Sequence, residues 1–512
     1  DLPRLRDAAF TAAQDLEVSP AARALAQTAA RAAFSRATAA EARVRQDLAE
    51  QVRELEGQLV QALPQNDPGK AARIGEALDA VGRELAGLDA RLARGNPKYA
   101  EAVAPKALTI AQAQHRLRPD EGLLLIVPSG EDVHVFAISR GRAEWNRITG
   151  GRADLTRRLR TIRCQLDEEA CGRAGSDMRL PAFDVEAAHA VYRDVLAPVE
   201  SAIAGVDKLY VAASGPFGGL PLGLLPVGLP PKDRDGAALG PVSWLADRYA
   251  LTTLPAVASL RAGPSSRRPN GKRWAFVGFG DPALEGHAPG ERRLADAASL
   301  ATSFPPLPGT ADELRAMART LGAPATSLRL GAKATETAIK TSPDLAHADV
   351  VAFATHGLLS REIQGLDEPG LVLTPPAKAT AEDDGVLTAS EAAALELSAN
   401  WVILSACNTA GADGQPGSDN LSGLARAFLY AGARALLVSH WRVFDDSTAA
   451  LTVQTLAIQR ANPRLSKAEA LQRAMRVVRT GKLPNGKPLP GWRAEWSHPA
   501  YWAPFVLITG GD

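Results

Sequence analysis

Cysteine is scarce in this sequence. The 512-residue chain holds three, Cys164, Cys171 and Cys407, and no Cys-x-x-Cys pair, which excludes a disulfide scaffold and the usual ligand spacing of a zinc site. Cys164 and Cys171 bracket a short polar loop and read as two ordinary thiols; a bridge between them would favour an exported protein. An excess of one charge is also lacking. The 58 basic residues face 57 acidic ones, so no overall field draws the chain to nucleic acid or an anionic membrane, and any partner must be recognised locally. No run of 18 or more apolar residues occurs, so no membrane-spanning helix is expected. The first residues, Asp1-Leu-Pro-Arg-Leu-Arg, lack the basic-then-apolar order of a signal peptide. The cytoplasm is the expected compartment. Because the chain opens on Asp1 without Met, as a trimmed protein would, export or a periplasmic location stays open.

At roughly 150 residues per domain, the length predicts about three domains. Residues 1–117 read as an α-helical region. Val44, Leu48, Val52, Leu55 and Leu59 recur every three or four residues, a Pro/Gly turn at 64–69 follows, and Ile74, Leu78, Val81, Leu85, Leu88 and Leu92 repeat at alternating steps of four and three. Two such seams predict a coiled-coil-like helical hairpin. Residues 118–262 alternate strands and helices as α/β domains do, with strands at 122–127, 133–138, 143–148 and 208–213 and a helix over 184–204. Ser214 ends the last of these strands, but Gly215-Pro216 directly after it cannot form the elbow of a Gly-x-Ser-x-Gly hydrolase, and it reads as a turn. A Pro, Ser, Arg and Gly rich stretch at 261–271 marks the boundary to a third domain, 272–512.

The chemistry concentrates in that third domain. Gly278, Gly280 and Ala283 have the spacing of a dinucleotide fingerprint, with Asp296 where a ribose-binding acid would fall, yet Pro282 and a loop-like run after Leu284 deny the helix N-terminus such a motif needs. No cofactor and no metal is expected. Two short β-branched and apolar runs instead end in reactive residues: Val350-Val-Ala-Phe-Ala-Thr-His356-Gly357 and Trp401-Val-Ile-Leu-Ser-Ala-Cys407. Both predict buried parallel strands that deliver a side chain to the carboxyl edge of a sheet, where ligands collect. A His about 50 residues before a Cys has the chain order of caspase-type proteases. In this reading Cys407 attacks a scissile carbonyl, His356 passes the proton to the departing amine, and the amides of Gly357 and Cys407 hold the oxyanion. His440, at the end of a later strand, is the rival imidazole and ranks second because it follows the nucleophile.

The surrounding motifs carry a resemblance. Leu307-Pro-Gly-Thr, Leu330-Gly-Ala-Lys-Ala-Thr-Glu336, Phe353-Ala-Thr-His-Gly, Leu404-Ser-Ala-Cys-Asn-Thr, Leu421-Ser-Gly-Leu-Ala-Arg-Ala-Phe-Leu-Tyr-Ala-Gly-Ala433 and His498-Pro-Ala-Tyr-Trp-Ala-Pro-Phe505 resemble a CHAT domain, a bacterial relative of caspases and separases. The resemblance implies an α/β/α sandwich around a mainly parallel sheet and a His356–Cys407 dyad. It also implies a pseudo-caspase half at 118–262 and an N-terminal helical region of the tetratricopeptide-associated type. The implied function is a cysteine endopeptidase that cuts one or a few protein partners and is regulated through its helices by a further protein; the alternative is a catalytically silent scaffold. In related proteases the residue two before the nucleophile lines the S1 pocket, often as an acid. Here it is Ser405, and Asp413, Asp419, Asp367 or Glu368 in the adjacent loops would have to supply negative charge.

Overall fold

The computed structural model describes residues 2–17, 48, 51, 55, 68–95, 107–167, 180–230, 241–261, 274–284, 304–359, 366, 368–380, 383–406 and 423–509. The chain divides into two compact units, residues 20–106 and the remainder.

In the smaller unit, helix α2 (Pro68–Gly95) presents Ile74, Leu78, Val81, Leu85 and Leu88 as its buried or half-buried seam, while Arg73, Glu76, Asp79 and Glu84 are exposed. This is the expected four-three spacing. The partner helix of the predicted hairpin lies almost wholly outside the described residues.

The larger unit is built on one sheet of 11 strands. It opens with helices α1 (Leu2–Glu17) and α3 (Ile110–Arg116). Then come β1 (Glu121–Ser129), β2 (Asp132–Ser139), β3 (Ala143–Ile148), α4 (Arg152–Cys164), α5 (Val185–Val195), β4 (Lys208–Ala213) and β5 (Ala250–Thr253). The second stretch contributes β6 (Phe276–Pro282), α6 (Pro308–Leu321), β7 (Leu328–Gly331), β8 (Val350–Ala354), β9 (Gly357–Leu358), β10 (Gly370–Val372) and β11 (Val386–Thr388). It closes with β12 (Trp401–Ser405), α7 (Gly423–Tyr430), β13 (Ala435–Ser439), α8 (Asp445–Ala461), α9 (Lys467–Thr480) and β14 (Phe505–Thr509). The sheet order is β3-β2-β1-β4-β5-β14-β13-β12-β8-β6-β7, while β9, β10 and β11 form a separate small sheet.

Seven of the ten neighbouring pairs in the large sheet are parallel; the pairs β1–β2, β2–β3 and β13–β14 are antiparallel. Residues 118–262 and 272–512 thus share one sheet. They join at a narrow seam, because β5 and β14 are in register at the single pair Ile508–Thr253. Helices cover both faces, as in an α/β/α sandwich.

Period-two side chains explain the layering. In β8, Val350, Ala352 and Ala354 join the core that contains Leu314 and Met317 of α6, whereas Phe353 turns the other way, onto Phe279 of β6 and Phe428 of α7. The helices carry their own punctuation. Pro308 stands in the first turn of α6 and Gly322 ends it in the left-handed region, while Ser466 and Glu469 form a capping box on α9. Gly280 has a packing reason: a side chain there would meet the Ala354 carbonyl at 2.6 Å and Leu314 at 2.7 Å. The glycines of the rejected dinucleotide pattern therefore let α6 and β8 approach β6. Asp445 and Asp446 occupy the first turn of α8, whose N-cap is Phe444, so they act on the helix dipole rather than as caps.

One expectation is corrected. Cys164, at the end of α4, is disulfide-bonded and so is not the ordinary thiol anticipated; Cys171 lies outside the described residues. No helix among the described residues is long and apolar enough to cross a membrane.

Candidate active site at the carboxyl edge of the sheet

β8 and β12 run side by side and parallel, with Val350 opposite Trp401 and Ala354 opposite Ser405. β6 flanks β8 on the other side, with Gly280 opposite Ala354. The three strands therefore end together. Their tips bring Asp281, Thr355, His356 and Ser405 to one edge. Cys407, Asp367, Asp413 and Asp419 lie outside the described residues, with Cys407 the next residue but one after Ser405.

His356 is held by backbone and ring alike. Thr355 is buried, and its hydroxyl donates to the Val372 carbonyl, while the Val372 amide donates to the His356 carbonyl at 2.9 Å. Gly357 then pairs with Leu371 in the small sheet. The ring is half-buried and packs against Phe304 at 5.2 Å between centroids, and Nε2 lies 2.9 Å from the Pro305 carbonyl. A carbonyl only accepts, so Nε2 carries the hydrogen and the basic lone pair of the neutral ring sits on Nδ1. The small sheet that carries Gly357 is braced in turn by Glu336. This carboxylate, 1% exposed, accepts from the Asp384 and Gly385 amides; burial first, offset by Lys340, pushes its pKa up to about 7.

Ser405 is buried and its hydroxyl donates to Glu313 Oε2 at 2.8 Å. The Ala406 carbonyl accepts from Ser439 Oγ on the next strand at 2.5 Å. Glu313, on α6, also accepts from Thr452 Oγ1 at 2.8 Å, and burial pushes its carboxyl up to about 7. Asp281 takes up the left-handed region at φ 48°, which is rare for a residue with a side chain and concentrates at functional edges. Its amide donates to Thr310 Oγ1 at 3.0 Å, and burial raises its carboxyl. Glu368 accepts from the Ser390 amide at 2.7 Å at the start of a short helix.

His440 differs from His356. It is fully enclosed, its Nδ1 has no hydrogen-bond partner, and burial, with Arg163 adding to it, drives its pKa down to about 3. Its backbone is clamped by the Pro504 carbonyl at 2.9 Å and by Arg163, which donates to the His440 carbonyl and stacks over Trp441. An imidazole that stays neutral to such low pH is a poor proton donor at neutrality.

The sequence reading had no role for Phe304, Pro305 or Glu313. Pro305 acts through its carbonyl, which no side-chain pattern reports. Glu313 sits six residues after Leu307 of the Leu-Pro-Gly-Thr motif, and an acid on the apolar face of an otherwise amphipathic helix was the available signal.

A family model for the CHAT domain matches residues 185–510. Tetratricopeptide repeat protein 28 of Mus musculus is 27% identical over a stretch that covers 52% of this chain and 11% of its own length. Two crystal structures of the Saccharomyces cerevisiae separase–securin complex are also similar. The one at 3.0 Å is 10% identical with a TM-score of 0.43, over 81% of this chain and 31% of that chain. The one at 2.6 Å is 11% identical with a TM-score of 0.40, over 87% and 34%. The chain thus spans about a tenth of the length of the curated relative and about a third of each solved chain.

Proposed function

The chain belongs to the CHAT domain family, and on that premise we propose that it is a cysteine endopeptidase whose catalytic residues are His356 and Cys407. One observation carries this reading. The parallel register of β8 and β12 has an offset of 405 − 354 = 51 residues, and the same offset separates Cys407 from His356, 407 − 356 = 51. Adjacent strands lie about 4.8 Å apart, and the shared offset supports pairing the Cys407 thiol with the His356 imidazole beyond the two strand ends.

In this mechanism the Cys407 thiolate attacks the scissile carbonyl carbon and the carbonyl electrons move onto oxygen. The oxyanion is held by the amides of Gly357 and Cys407. His356 delivers its proton to the amine as the C–N bond breaks, leaving a thioester. It then takes a proton from water, which attacks the thioester and frees the carboxylic acid and Cys407. The Pro305 carbonyl fixes the tautomer that points the working nitrogen away from it. The substrate is a protein or peptide, and the helical region serves a regulatory protein partner. Specificity rests with the acids of the flanking loops, Asp367, Asp413 and Asp419, because the Ser405 hydroxyl is committed to the buried Glu313 carboxyl.

Turnover of a synthetic peptide library by wild type, Cys407→Ala and His356→Ala tests the reading. Cleavage by wild type and none by either variant is expected. Equal cleavage by all three removes the dyad, and no cleavage by any, with a binding partner still captured by the helical region, turns the chain into a scaffold.

A further inference from the structure

The buried carboxyl of Glu313 calls for a reason. Burial of an acid is costly unless its lone pairs are well satisfied, and the two hydrogen bonds that satisfy this one come from hydroxyls, Ser405 Oγ on Oε2 and Thr452 Oγ1 on Oε1, both at 2.8 Å. An apolar residue would fill the same space at less cost. What the carboxyl gains is a fixed link between α6, α8 and the last residue of β12. Ser405 stands two residues before Cys407, and the intervening Ala406 is held by Ser439 Oγ on the opposite side. The approach to the nucleophile is therefore anchored from two elements.

We propose that Glu313 is a positioning residue for Cys407, acting through Ser405; the proposal rests on the peptidase reading above. The link tolerates a proton. Thr452 Oγ1 also lies 2.9 Å from the Thr448 carbonyl. When Glu313 is ionised, Thr452 donates to it. When Glu313 is protonated, it donates to Thr452, and Thr452 donates to Thr448. In both states Oε2 still accepts from Ser405. Asp445, in the first turn of α8, adds to the burial that raises Glu313. Asp281 at the tip of β6 feels Arg315 and Asp312, on the same helix as Glu313. The anchor thus holds the end of β12 on both sides of neutrality.

The test compares wild type with Ser405→Ala, Glu313→Leu, Glu313→Gln and the double variant Ser405→Ala/Glu313→Gln. Two readouts are used: the rate at which iodoacetamide alkylates Cys407, located by peptide mass spectrometry, and kcat and KM on the best library peptide. Ser405→Ala and Glu313→Leu are expected to lower kcat and the alkylation rate by about tenfold or more, the scale at which small misplacements are felt, with KM changed less than about twofold. Glu313→Gln should lose several-fold less than Glu313→Leu, because its amide oxygen accepts from Ser405 while its NH2 donates to Thr452. The double variant should match Ser405→Ala alone, the sign of one shared link. Wild-type kcat and alkylation in Ser405→Ala overturn the proposal while leaving the peptidase reading intact; Ser405→Ala removes one oxygen atom, so a folding failure does not obscure it. A rise in KM alone also overturns it, by making Ser405 a substrate contact. Slowed alkylation in the variants, with no peptide cut by wild type, supports the positioning role and sinks the peptidase reading instead.

Discussion

The two stretches of the sheet are built alike and end differently. In the first, β4 stops at Ser214, whose amide and hydroxyl both turn back to the Ile126 carbonyl, and a single-turn helix follows through Gly215, held at φ 62°. That tip is tied to the backbone of the neighbouring strand β1. In the second, β12 stops at Ser405, whose hydroxyl reaches away from its own strand to a buried carboxyl on α6, and β8 stops at a histidine locked by a neighbouring carbonyl. Both serines are small, buried and at the end of a parallel strand. The difference lies in what surrounds them. The second stretch buries Glu313, Glu336, Thr355, Ser439 and Thr452 around its tips, and each is satisfied by a named partner. A parallel sheet offers many strand ends; buried polar scaffolding holds those of the second stretch, as the proposed chemistry would need.

The largest expected contrast sets the two halves against each other directly. His356→Ala should lower kcat/KM on a cleaved peptide by at least about 10³-fold, while Ser214→Ala should stay within about twofold; steady-state hydrolysis decides, and a large loss in Ser214→Ala would bring the first half into the site. Packing gives the next. Gly280→Ala drives a methyl into the Ala354 carbonyl and should cost about 1–3 kcal/mol in urea unfolding, whereas Gly228→Ala in the first stretch meets open space and should cost under about 0.5 kcal/mol.

A pH comparison sharpens the role of the buried acid. Because Glu313 is raised from 4.5 to about 7, its protonated form contributes stability that is fully present below about pH 4.5 and is lost as pH rises through about 7. Glu313→Gln cannot ionise, so its urea midpoint should gain on wild type between pH 4.5 and 8; a constant difference would place the Glu313 carboxyl at an ordinary pKa. The smallest effect belongs to the second imidazole. His440→Leu removes a buried nitrogen without a partner and should change stability by less than about 1 kcal/mol and leave the pH profile of hydrolysis unmoved. A loss equal to that of His356→Ala would make His440 the catalytic imidazole.

The strands, the mainly parallel sheet and the seam on α2 were legible because they depend on local periodicity: runs such as 350–354 and 401–405 have few other ways to be buried. Family motifs extended that reading to the sandwich architecture. The residues around His356 were not legible for a different reason. Pro305 contributes a carbonyl that every residue has, and Phe304 is one aromatic among many until β8 is placed beside it. Glu313 and Ser405 are 92 residues apart and meet only through the packing of α6 on the sheet. The state of Cys164 likewise depends on approach in space. Local pattern reports elements; partners across the sheet come from tertiary packing.

The most direct test of the central claim, that the tips of β8 and β12 form a thiol–imidazole pair, is the pH dependence of Cys407 alkylation by iodoacetamide in wild type and His356→Ala. An ordinary cysteine titrates near pH 8.5, and a neighbouring imidazolium lowers that value. The account predicts a wild-type curve that rises well below pH 8.5 and a His356→Ala curve displaced upward toward it. Superimposable curves would contradict it.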